Sequence, residues 1–481
     1  MLKIKKYFFP ILFALIFSVL LCLFFSYKLL DVPMGLTGDE TAFGYNASLL
    51  SKTGHDENGR FLPLFVLANN GTDWKQPITQ YYLAFLFWLF KPSVFLLRFS
   101  SILITLLSSF LLYKFARKVF DQKYSLLTVL IFLTTPLIMI QSHMGLDNIM
   151  TIPFAIIWFY FLYLYEKNKN IKFLIVSALS LGINFYTYKG MRAVFPIWYL
   201  LSLIYIFKNP ILKNIKQFFI FSLFSLPFFL ISPLLNHYYP GAIFGGARPV
   251  FDNLYNFLYP YFSSYDLTFL FIKGDELLFH STGYHGFFLL ASMPLFFIGI
   301  YKSIKTNKFS RFILLIFFTT PLLYGSVNSV HRASRLMCLI PFYAIICTYG
   351  FQYLVKISAN YKKIVIFIVL FLSLANYYDF LHHYYGDYRK LTQNFLGDLK
   401  PYLSFKKLKT KSEELNLKPY MATNISNNFF ESIYFTDNLN YINPDLLPPP
   451  GSILLTNRSY IEGMTNLNID IKYYYLQIRN Q

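Results

Sequence analysis

Apolar runs of about 15 to 25 residues, each long enough to cross a hydrocarbon core about 30 Å thick as a helix, recur along this chain of 481 residues. These runs restrict the fold more than any other feature. Charge is scarce, since 14% of the residues are charged and 56% are apolar, against about 25% charged in a typical soluble domain. Such a composition excludes a cytosolic enzyme, a secreted disulfide scaffold and a disordered chain. The sequence predicts an all-α polytopic membrane protein.

The cysteines and the net charge agree with this class. Cys22, Cys338 and Cys347 all lie inside apolar runs, so neither a disulfide framework nor a CxxC metal motif is expected. The formal net charge of +20 is not interpreted as a nucleic-acid signal, because in a membrane protein Lys and Arg first report orientation. The predicted surroundings are a lipid bilayer, with no nucleic-acid partner.

About eleven transmembrane helices are predicted from the apolar runs. The first runs from about Tyr7 to Leu30 and follows three lysines; it is long for a signal peptide and lacks a small-x-small cleavage site. The other spans are predicted at residues 94–113, 124–141, 149–165, 171–187, 193–208, 217–235, 286–303, 312–325, 336–355 and 364–380.

Basic residues sort the connections between the spans into two classes. One class, predicted to be cytoplasmic, holds about half of the 43 Lys and Arg residues, opposed only by Asp121 and Glu166. Counted as a full span, the segment Gln76–Phe90 would invert this order, so it is predicted to be an interfacial or re-entrant helix. The N-terminus is then cytoplasmic and the C-terminus lies outside the cytoplasmic membrane. The basic residues of the cytoplasmic class are Lys3, Lys5, Lys6, Lys114, Arg117, Lys118, Lys123, Lys167, Lys169, Lys172, Lys208, Lys213, Lys216, Lys302, Lys305, Lys308, Arg311, Lys356, Lys362 and Lys363.

Two regions are predicted along the chain. Residues 1–380 form the transmembrane domain, with a long first outer loop at 31–93. Residues 381–481 form a small extracytoplasmic α/β appendage, in which strands are recognised by short β-prone runs between turn residues. Its predicted elements are a helix near 388–404 and strands at Tyr420–Asn424 and Ser452–Thr456.

The first outer loop begins with an adjacent acidic pair, Asp39 and Glu40. One interpretation is a helix start, because Thr37 with Glu40 three residues later forms a capping box, and acidic residues in a first turn suit the helix dipole. This interpretation explains Glu40 better than Asp39. The other interpretation is a general base at the membrane–water boundary, where Asp39 takes a proton from an incoming hydroxyl group.

A second acid, Asp147, lies in the next outer turn between two strongly apolar spans. An ionisable group at that depth is costly and is therefore a functional candidate, although an Asp that caps the following helix is the alternative. His143 in the same turn is interpreted as a hydrogen-bonded boundary residue rather than as a metal ligand.

Cationic residues on the outer face break the positive-inside tendency. They fall in two segments, Tyr186–Arg192 and His331–Arg335. Arg192, Arg332 and Arg335 call for anionic partners there, and an Arg fork matches phosphate oxygens bidentately. Snorkelling anchors, or ion pairs with the outer acids, are the alternative. Carboxylates and cations on one face suit a reaction on a lipid that carries a phosphate, whose developing charge the cations would stabilise.

The acidic pair is followed by Gly44-Tyr45-Asn46-Ala47 and by Thr53–Gly59. Together with the segments His143–Asn148, Tyr186–Arg192 and His331–Arg335, these residues resemble the GT-C superfamily of multi-pass glycosyltransferases. The best match is the bacterial branch related to protein O-mannosyltransferases and lipid A aminoarabinose transferases, glycosyltransferase family 39. The resemblance covers roughly residues 1–380.

The resemblance implies an inverting transfer of a sugar, from a polyprenyl-phosphate-linked donor to a protein, lipid or glycan acceptor on the outer face. It implies a catalytic group in which Asp39 is the base, Glu40 shapes the loop, and Asp147 is a second acid near the acceptor or a metal. It requires no cofactor but allows a divalent metal, since family members differ in using one. The residues that it places around the donor phosphate are Lys189, Arg192, His331, Arg332 and Arg335, and those that it assigns to acceptor or loop support are Tyr45, His143 and Tyr188.

A multi-pass transporter, or a flippase for lipid-linked glycans without transferase activity, is the alternative function. Such proteins also combine many spans with intramembrane charges. Against this alternative, the unusual charges gather on one outer face rather than along a path through the membrane midplane.

Overall fold

The computed structural model describes residues 16, 18–69, 71–206, 215–243, 253–327, 330–396, 400–425, 427–435, 439–467 and 474–479. Residues 7–15 and 17 of the predicted first span lie outside the described residues, as do the lysines at 3, 5, 6, 208 and 213 of the predicted cytoplasmic class. The chain forms two compact units. The helical unit holds the described residues within 1–27, 76–79 and 98–388, and the mixed unit holds those within 28–75, 80–97 and 389–481.

The helical unit consists of apolar helices joined by short turns. Residues 18–26 are helical. The further helices are Val94–Val119 (in this unit from Arg98 on), Gln122–Leu133, Pro136–Ser142, Thr151–Asn168, Ile171–Asn184, Met191–Ile206, Ile215–Leu230, Ser232–Tyr238, Leu254–Ser263, Met293–Thr306, Lys308–Thr319, Ala333–Leu336, Ile340–Ile357 and Lys362–His383. Short 3-10 turns span Asn148–Met150, Leu290–Ser292, Thr320–Val327, Met337–Leu339 and Ala359–Tyr361, and π-helical turns span Thr268–Ile272 and Tyr384–Tyr388.

Each of the ten spans predicted after the first overlaps one or two of these helices. Among the described residues, six helical segments are long and apolar enough to cross a bilayer: Val94–Val119, Asn148–Asn168, Ile215–Tyr238, Lys308–Val327, Ala333–Ile357 and Lys362–Asn394. A seventh results if Gln122–Leu133 and Pro136–Ser142, which are bent by 63°, form one span. The polytopic helical class is therefore confirmed, while the number of eleven stays a prediction.

The bend between these two helices has a local cause. Pro136 cannot donate a backbone hydrogen bond, and its ring disfavours a helical conformation at the preceding residue. Thr135 is accordingly extended, with φ −66° and ψ 122°, and the second helix begins at Pro136.

Glycines allow two helices of this unit to pack at short range. A Cβ atom at Gly299 would lie 2.0 Å from the carbonyl oxygen of Ile346, and one at Gly350 would lie 2.0 Å from that of Leu295. Small residues at helix contacts are how membrane helices approach closely. The helices Met293–Thr306 and Ile340–Ile357 are thus held together by backbone proximity.

The mixed unit contains the helices Gly38–Thr53, Pro77–Leu89 (in this unit from Gln80 on), Arg389–Leu396, Lys400–Glu414 and Asn428–Tyr434, and a 3-10 turn at Thr423–Ile425. The helix Pro77–Leu89 has 13 residues, or about 20 Å at 1.5 Å per residue, which is too short to cross a bilayer. Its length agrees with the predicted interfacial or re-entrant helix, whose position relative to the lipid stays a prediction.

Strands complete the mixed unit. β1 (Val66–Ala68) and β2 (Asp73–Lys75) pair antiparallel. The tail forms a five-stranded sheet in the order β4-β3-β5-β7-β6, where β3 pairs parallel with β4 and β5, and β7 pairs antiparallel with β5 and β6. These five strands are β3 Lys418–Ala422, β4 Asn440–Ile442, β5 Ser452–Thr456, β6 Thr465–Asn466 and β7 Tyr475–Arg479. The predicted C-terminal α/β appendage is therefore confirmed.

One hydrophobic core joins the first loop to this tail. Phe43 and Leu50 of the helix Gly38–Thr53 belong to the same buried cluster as Phe429 and Ile453. The contact is tight, because a Cβ atom at Gly44 would lie 2.6 Å from the Phe429 ring. The tail thus supports the segment that carries Asp39. The predicted boundary at residue 381 stays a prediction, since the observed units are not divided at one point of the chain.

Candidate active site

The predicted site residues fall in both units. Asp39, Glu40 and Tyr45 belong to the mixed unit. The helical unit holds the rest: Asp147, His143, Tyr188, Lys189, Arg192, His331, Arg332 and Arg335.

Asp39 lies in the first turn of the helix Gly38–Thr53. Thr37 is extended and its Oγ1 accepts a hydrogen bond from the backbone N–H of Glu40 at 3.0 Å, while Glu40 Oε2 accepts from the backbone N–H of Thr37 at 3.0 Å. The capping box predicted from the sequence is confirmed. Glu40 is fully buried, so its carboxylate fixes the start of the helix that presents Asp39.

A buried lysine holds the Asp39 carboxylate. Lys75 Nζ donates to Asp39 Oδ1 and, at 2.9 Å, to Asp73 Oδ2. The side chain of Lys75 is 2% exposed, whereas that of Asp39 is 55% exposed. Burial by itself would lower the pKa of Lys75, but the charges of Asp39 and Asp73 outweigh it and raise the pKa above its ordinary value. Lys75 therefore stays cationic and orients the carboxylate.

Most of the Asp39 carboxylate remains accessible in this arrangement. Oδ1 accepts from Lys75, and Oδ2 makes no hydrogen bond with any of the described residues. A carboxylate that is fixed through one oxygen and open at the other can accept a proton from a hydroxyl group within hydrogen-bond reach. The chemistry available at Asp39 is that of a general base.

Tyr45 lies on the same helix and is half-buried. Burial, together with the charges of Glu57 and Glu431, raises the pKa of Tyr45, so its hydroxyl group keeps its proton at neutral pH. The nearby segment is fixed by Asn46, whose Oδ1 accepts from the backbone N–H of Glu57 at 3.0 Å. Tyr45 can thus donate a hydrogen bond to a bound group.

In the helical unit, the structure brings together three segments that the sequence singled out. The Tyr188 hydroxyl lies 3.0 Å from Ser334 Oγ, and the side chain of Arg335 packs against Gly190. Asp147 is close enough to act electrostatically on both Tyr188 and Arg192. The segments around Asp147, Tyr186–Arg192 and His331–Arg335 therefore form one polar cluster.

The guanidinium of Arg192 is held by protein groups. Nη1 donates to the carbonyl oxygens of Ala242 and Ile243, both at 2.6 Å, and Nη2 donates to Gln76 Oε1 at 2.5 Å. Its centre lies 5.9 Å from the Phe185 ring centroid. Arg192 thus anchors the start of the helix Met191–Ile206.

The segment His331–Arg335 is fixed from several sides. His331 has φ +45°, its ring stacks on Phe269, and its Nε2 lies 3.3 Å from Asp266 Oδ2. The buried Asp275 accepts from the backbone N–H of Ala333 at 2.8 Å through Oδ2. Between these two contacts, Arg332 is exposed and acts electrostatically on Asp275.

The other cations differ in their surroundings. Arg335 Nη1 donates to the carbonyl oxygen of Val327 at 3.1 Å, and Lys189 is half-exposed. Among the predicted cations, the exposed guanidinium is that of Arg332. Arg332 is thus the most accessible of these arginines to an anion.

His143 is fully buried, and its Nε2 lies 2.6 Å from the carbonyl oxygen of Phe25. This contact confirms the interpretation of His143 as a hydrogen-bonded boundary residue.

The fold of the chain is similar to that of a membrane protein of known structure. The structure matches the crystal structure of ArnT from Cupriavidus metallidurans in the apo state with a TM-score of 0.58, over 97% of this chain and 98% of that chain, at 11% identity. It matches ArnT from the same organism bound to undecaprenyl phosphate with a TM-score of 0.59, over 96% and 97% of the two chains, at 11% identity. This chain has the GT-C fold. Because the two sequences are only 11% identical, the similarity between this chain and ArnT is a similarity of fold.

A family model agrees with the GT-C fold. The model described as dolichyl-phosphate-mannose-protein mannosyltransferase matches residues 75–237. The match includes Lys75, Asp147, Lys189 and Arg192 but neither Asp39 nor the segment 331–335. No curated protein sequence matches the chain. The resemblance to the GT-C superfamily seen in the sequence is confirmed.

Several polar residues near the predicted site were missed by the sequence reasoning. Lys75 and Asp73 flank Trp74 in β2, and the signal that could have found them is a charged pair just before an apolar helix. Asp266 and Asp275 precede a span by more than ten residues, and nothing in their local sequence points to the segment 331–335.

Proposed function

We propose that this chain is a membrane glycosyltransferase that moves a sugar from a polyprenyl-phosphate-linked donor to an acceptor on the outer face, with inversion at the anomeric carbon. The observation that carries the proposal is the Asp39 carboxylate, exposed on a helix start and held through one oxygen by the buried Lys75. The GT-C fold supports it, as does the likeness to an ArnT structure that contains undecaprenyl phosphate.

In the proposed reaction, Asp39 Oδ2 takes the proton of the acceptor hydroxyl group. The acceptor oxygen bonds to C1 of the sugar as the bond from C1 to the phosphate oxygen breaks, and polyprenyl phosphate leaves with the bonding electrons. Attack from the side opposite the leaving group inverts C1. Lys75 holds the carboxylate in place, and Glu40 holds the helix start.

The donor phosphate is proposed to bind the cations of the helical unit, where Arg forks complement phosphate oxygens. Arg332, which is exposed, would contact it directly, together with Lys189. Arg335, His331 and Arg192 would hold the surrounding backbone through the contacts described above, and Asp147 would balance the charge near Tyr188 and Arg192. Cations placed where charge develops stabilise the leaving phosphate.

The test uses the full-length protein reconstituted in sealed lipid vesicles with a polyprenyl-phosphate sugar and an extract of cell-envelope acceptors. Release of polyprenyl phosphate and sugar transfer are measured for the wild type, Asp39→Asn and Asp73→Asn. Asp73→Asn is the matched control, because it removes the other carboxylate that binds Lys75 and leaves Asp39 in place.

We expect Asp39→Asn to abolish transfer while folding is retained, since Asp73 still neutralises Lys75, and we expect Asp73→Asn to keep most of the activity. Near wild-type turnover in Asp39→Asn would reject Asp39 as the base. Movement of the intact donor across the membrane without release of polyprenyl phosphate would instead favour a flippase.

A further inference from the structure

Two histidines and an aspartate meet at the end of the helix Lys362–His383, within the helical unit. His285 Nε2 lies 3.0 Å from Asp379 Oδ2, and His383 Nδ1 lies 3.5 Å from Asp379 Oδ1. One ligand atom from each of the three residues lies within 4.8 Å of the other two. Among the described residues this is the only such group of His, Cys, Asp and Glu side chains.

The three side chains have the chemistry and spacing of a divalent transition-metal site. Zinc bonds to His nitrogen at about 2.0–2.1 Å and to carboxylate oxygen at about 2.0–2.2 Å, usually in a tetrahedron. Ligand atoms in such a site are about 3.3 Å apart. The two separations from Asp379 are 3.0 Å and 3.5 Å, and the ligand atoms of the two histidines lie within 4.8 Å of each other. Asp379 and His383 are four residues apart on one helix, so they face the same side.

A hydroxyl group orients the third ligand. Thr282 Oγ1 lies 3.2 Å from His285 Nδ1 and also accepts from the backbone N–H of Tyr284 at 3.3 Å. When Nδ1 donates to this oxygen, the lone pair of Nε2 points towards Asp379. Metal-ligating histidines almost always have such a partner on the other ring nitrogen.

A plain ion pair explains the cluster less well. One carboxylate needs one imidazolium partner, whereas here two imidazole rings, with centroids 5.3 Å apart, share Asp379. Two protonated rings at this separation would repel each other. Two neutral rings can each donate an N–H group, and His383 Nδ1 lies 3.0 Å from the backbone carbonyl oxygen of Asp379. A bound cation would replace these N–H contacts with bonds to the lone pairs of both rings and to the shared carboxylate.

We propose that His285, Asp379 and His383 bind one Zn²⁺ ion, with water in the fourth position. The ion would join the end of the helix Lys362–His383 to the segment between Lys273 and Phe288. The same segment carries Asp275, which accepts from the backbone N–H of Ala333 next to Arg332. The metal would thus position this segment rather than take part in the chemistry. The proposal does not depend on the proposed function.

The experiment uses the full-length protein, purified through a tag without histidine, stripped with a chelator and dialysed. Zinc content is measured by mass spectrometry after reloading, and zinc binding by calorimetry and by the shift in unfolding temperature. His383→Ala and Asp379→Asn remove ligands. His382→Ala is the matched control, because His382 is the exposed neighbour on the same helix and is outside the cluster. Thr282→Val tests the orienting hydroxyl.

We expect one zinc ion per chain and a higher unfolding temperature in the wild type and His382→Ala. His383→Ala and Asp379→Asn should bind zinc more than about tenfold more weakly, and Thr282→Val about tenfold more weakly. Mg²⁺, which prefers oxygen ligands, should not raise the unfolding temperature. The proposal is overturned when the wild type retains no zinc, or when His383→Ala and His382→Ala bind it equally.

Discussion

Lys75 and Asp39 form an ion pair in which the cation is buried and the carboxylate faces outward. A pair of this kind gives the carboxylate a fixed direction without hiding it. The buried lysine is in turn neutralised by Asp73, so the charge does not depend on Asp39 alone. This relationship allows the proposed base, Asp39, and the lysine that holds it to be tested by separate mutations.

Lys75→Met should reduce sugar transfer roughly 100-fold, because a misplaced catalytic group loses activity of that order. The unfolding temperature should change little, since methionine keeps the apolar stem packed near the Phe43 ring. Initial rates and thermal unfolding check both statements. Lys52→Met removes an equal charge from an exposed position of the same unit and should stay active. Wild-type rates in Lys75→Met would show that Asp39 needs no support.

Arg332→Ala should raise the KM for the donor about 10- to 100-fold, because a charge-assisted contact with phosphate of about 1.5–3 kcal/mol is lost. The exposed position of Arg332 predicts little effect on folding. The measurement is a donor titration at saturating acceptor.

Arg192→Ala should behave differently from Arg332→Ala. It leaves the carbonyl oxygens of Ala242 and Ile243 and the side chain of Gln76 without the guanidinium. Unpaired buried groups cost about 1–3 kcal/mol each, so the main effect should be a lower unfolding temperature. Equal stability in the two variants would contradict this distinction.

Gly44→Val should lower the free energy of unfolding of the mixed unit by about 1–3 kcal/mol, the usual cost of overpacking, because the new side chain meets the Phe429 ring. Gly38→Ala on the same helix is the control, since no atom lies within 4 Å of its Cβ position. Chemical denaturation followed by hydrogen exchange in the segments 38–53 and 428–434 measures the difference. A tolerated Gly44→Val would mean that the loop and the tail are packed less tightly than described.

The free energy of unfolding of the helical unit should decrease at acidic pH, because the buried His280 has a lowered pKa. Burial of its imidazole and the nearby Arg332 guanidinium lower the pKa of His280 from 6.5 to about 3. The unfolded chain therefore binds a proton that the folded chain does not, and the free energy of unfolding decreases as the pH falls from 6.5 towards 3. Unfolding measured between pH 6.5 and 5 should be less pH-dependent in His280→Asn. His382→Asn, at an exposed position, should keep the slope of the wild type.

The apolar helices and the cap of the Asp39 helix could be predicted because their signals are local. Apolar length and flanking lysines mark a membrane helix, and Thr37 with Glu40 marks a helix start. The polar cluster around Tyr188 and Ser334 was expected only in outline, as charges on one face.

Other features depend on tertiary contacts that no short segment encodes. In the sequence, Lys75 cannot be distinguished from an exposed lysine. In the folded protein it ends β2 and is buried. Strands such as β6, with two residues, are too short for an alternating pattern to be recognised. Asp379 and His383 stand four residues apart in the sequence, but their third partner, His285, lies 94 residues before Asp379.

The shared core of the mixed unit has a consequence for biosynthesis. The helix that carries Asp39 leaves the ribosome early, whereas Phe429 and Ile453, which complete its core, are synthesised after the whole helical unit. Chains generally fold their N-terminal parts first during synthesis. This helix is an exception, because it cannot pack against Phe429 and Ile453 until the spans have been inserted. An interrupted chain would therefore contain its membrane helices but not a packed Asp39 helix, so that activity could appear only after the last strands are made.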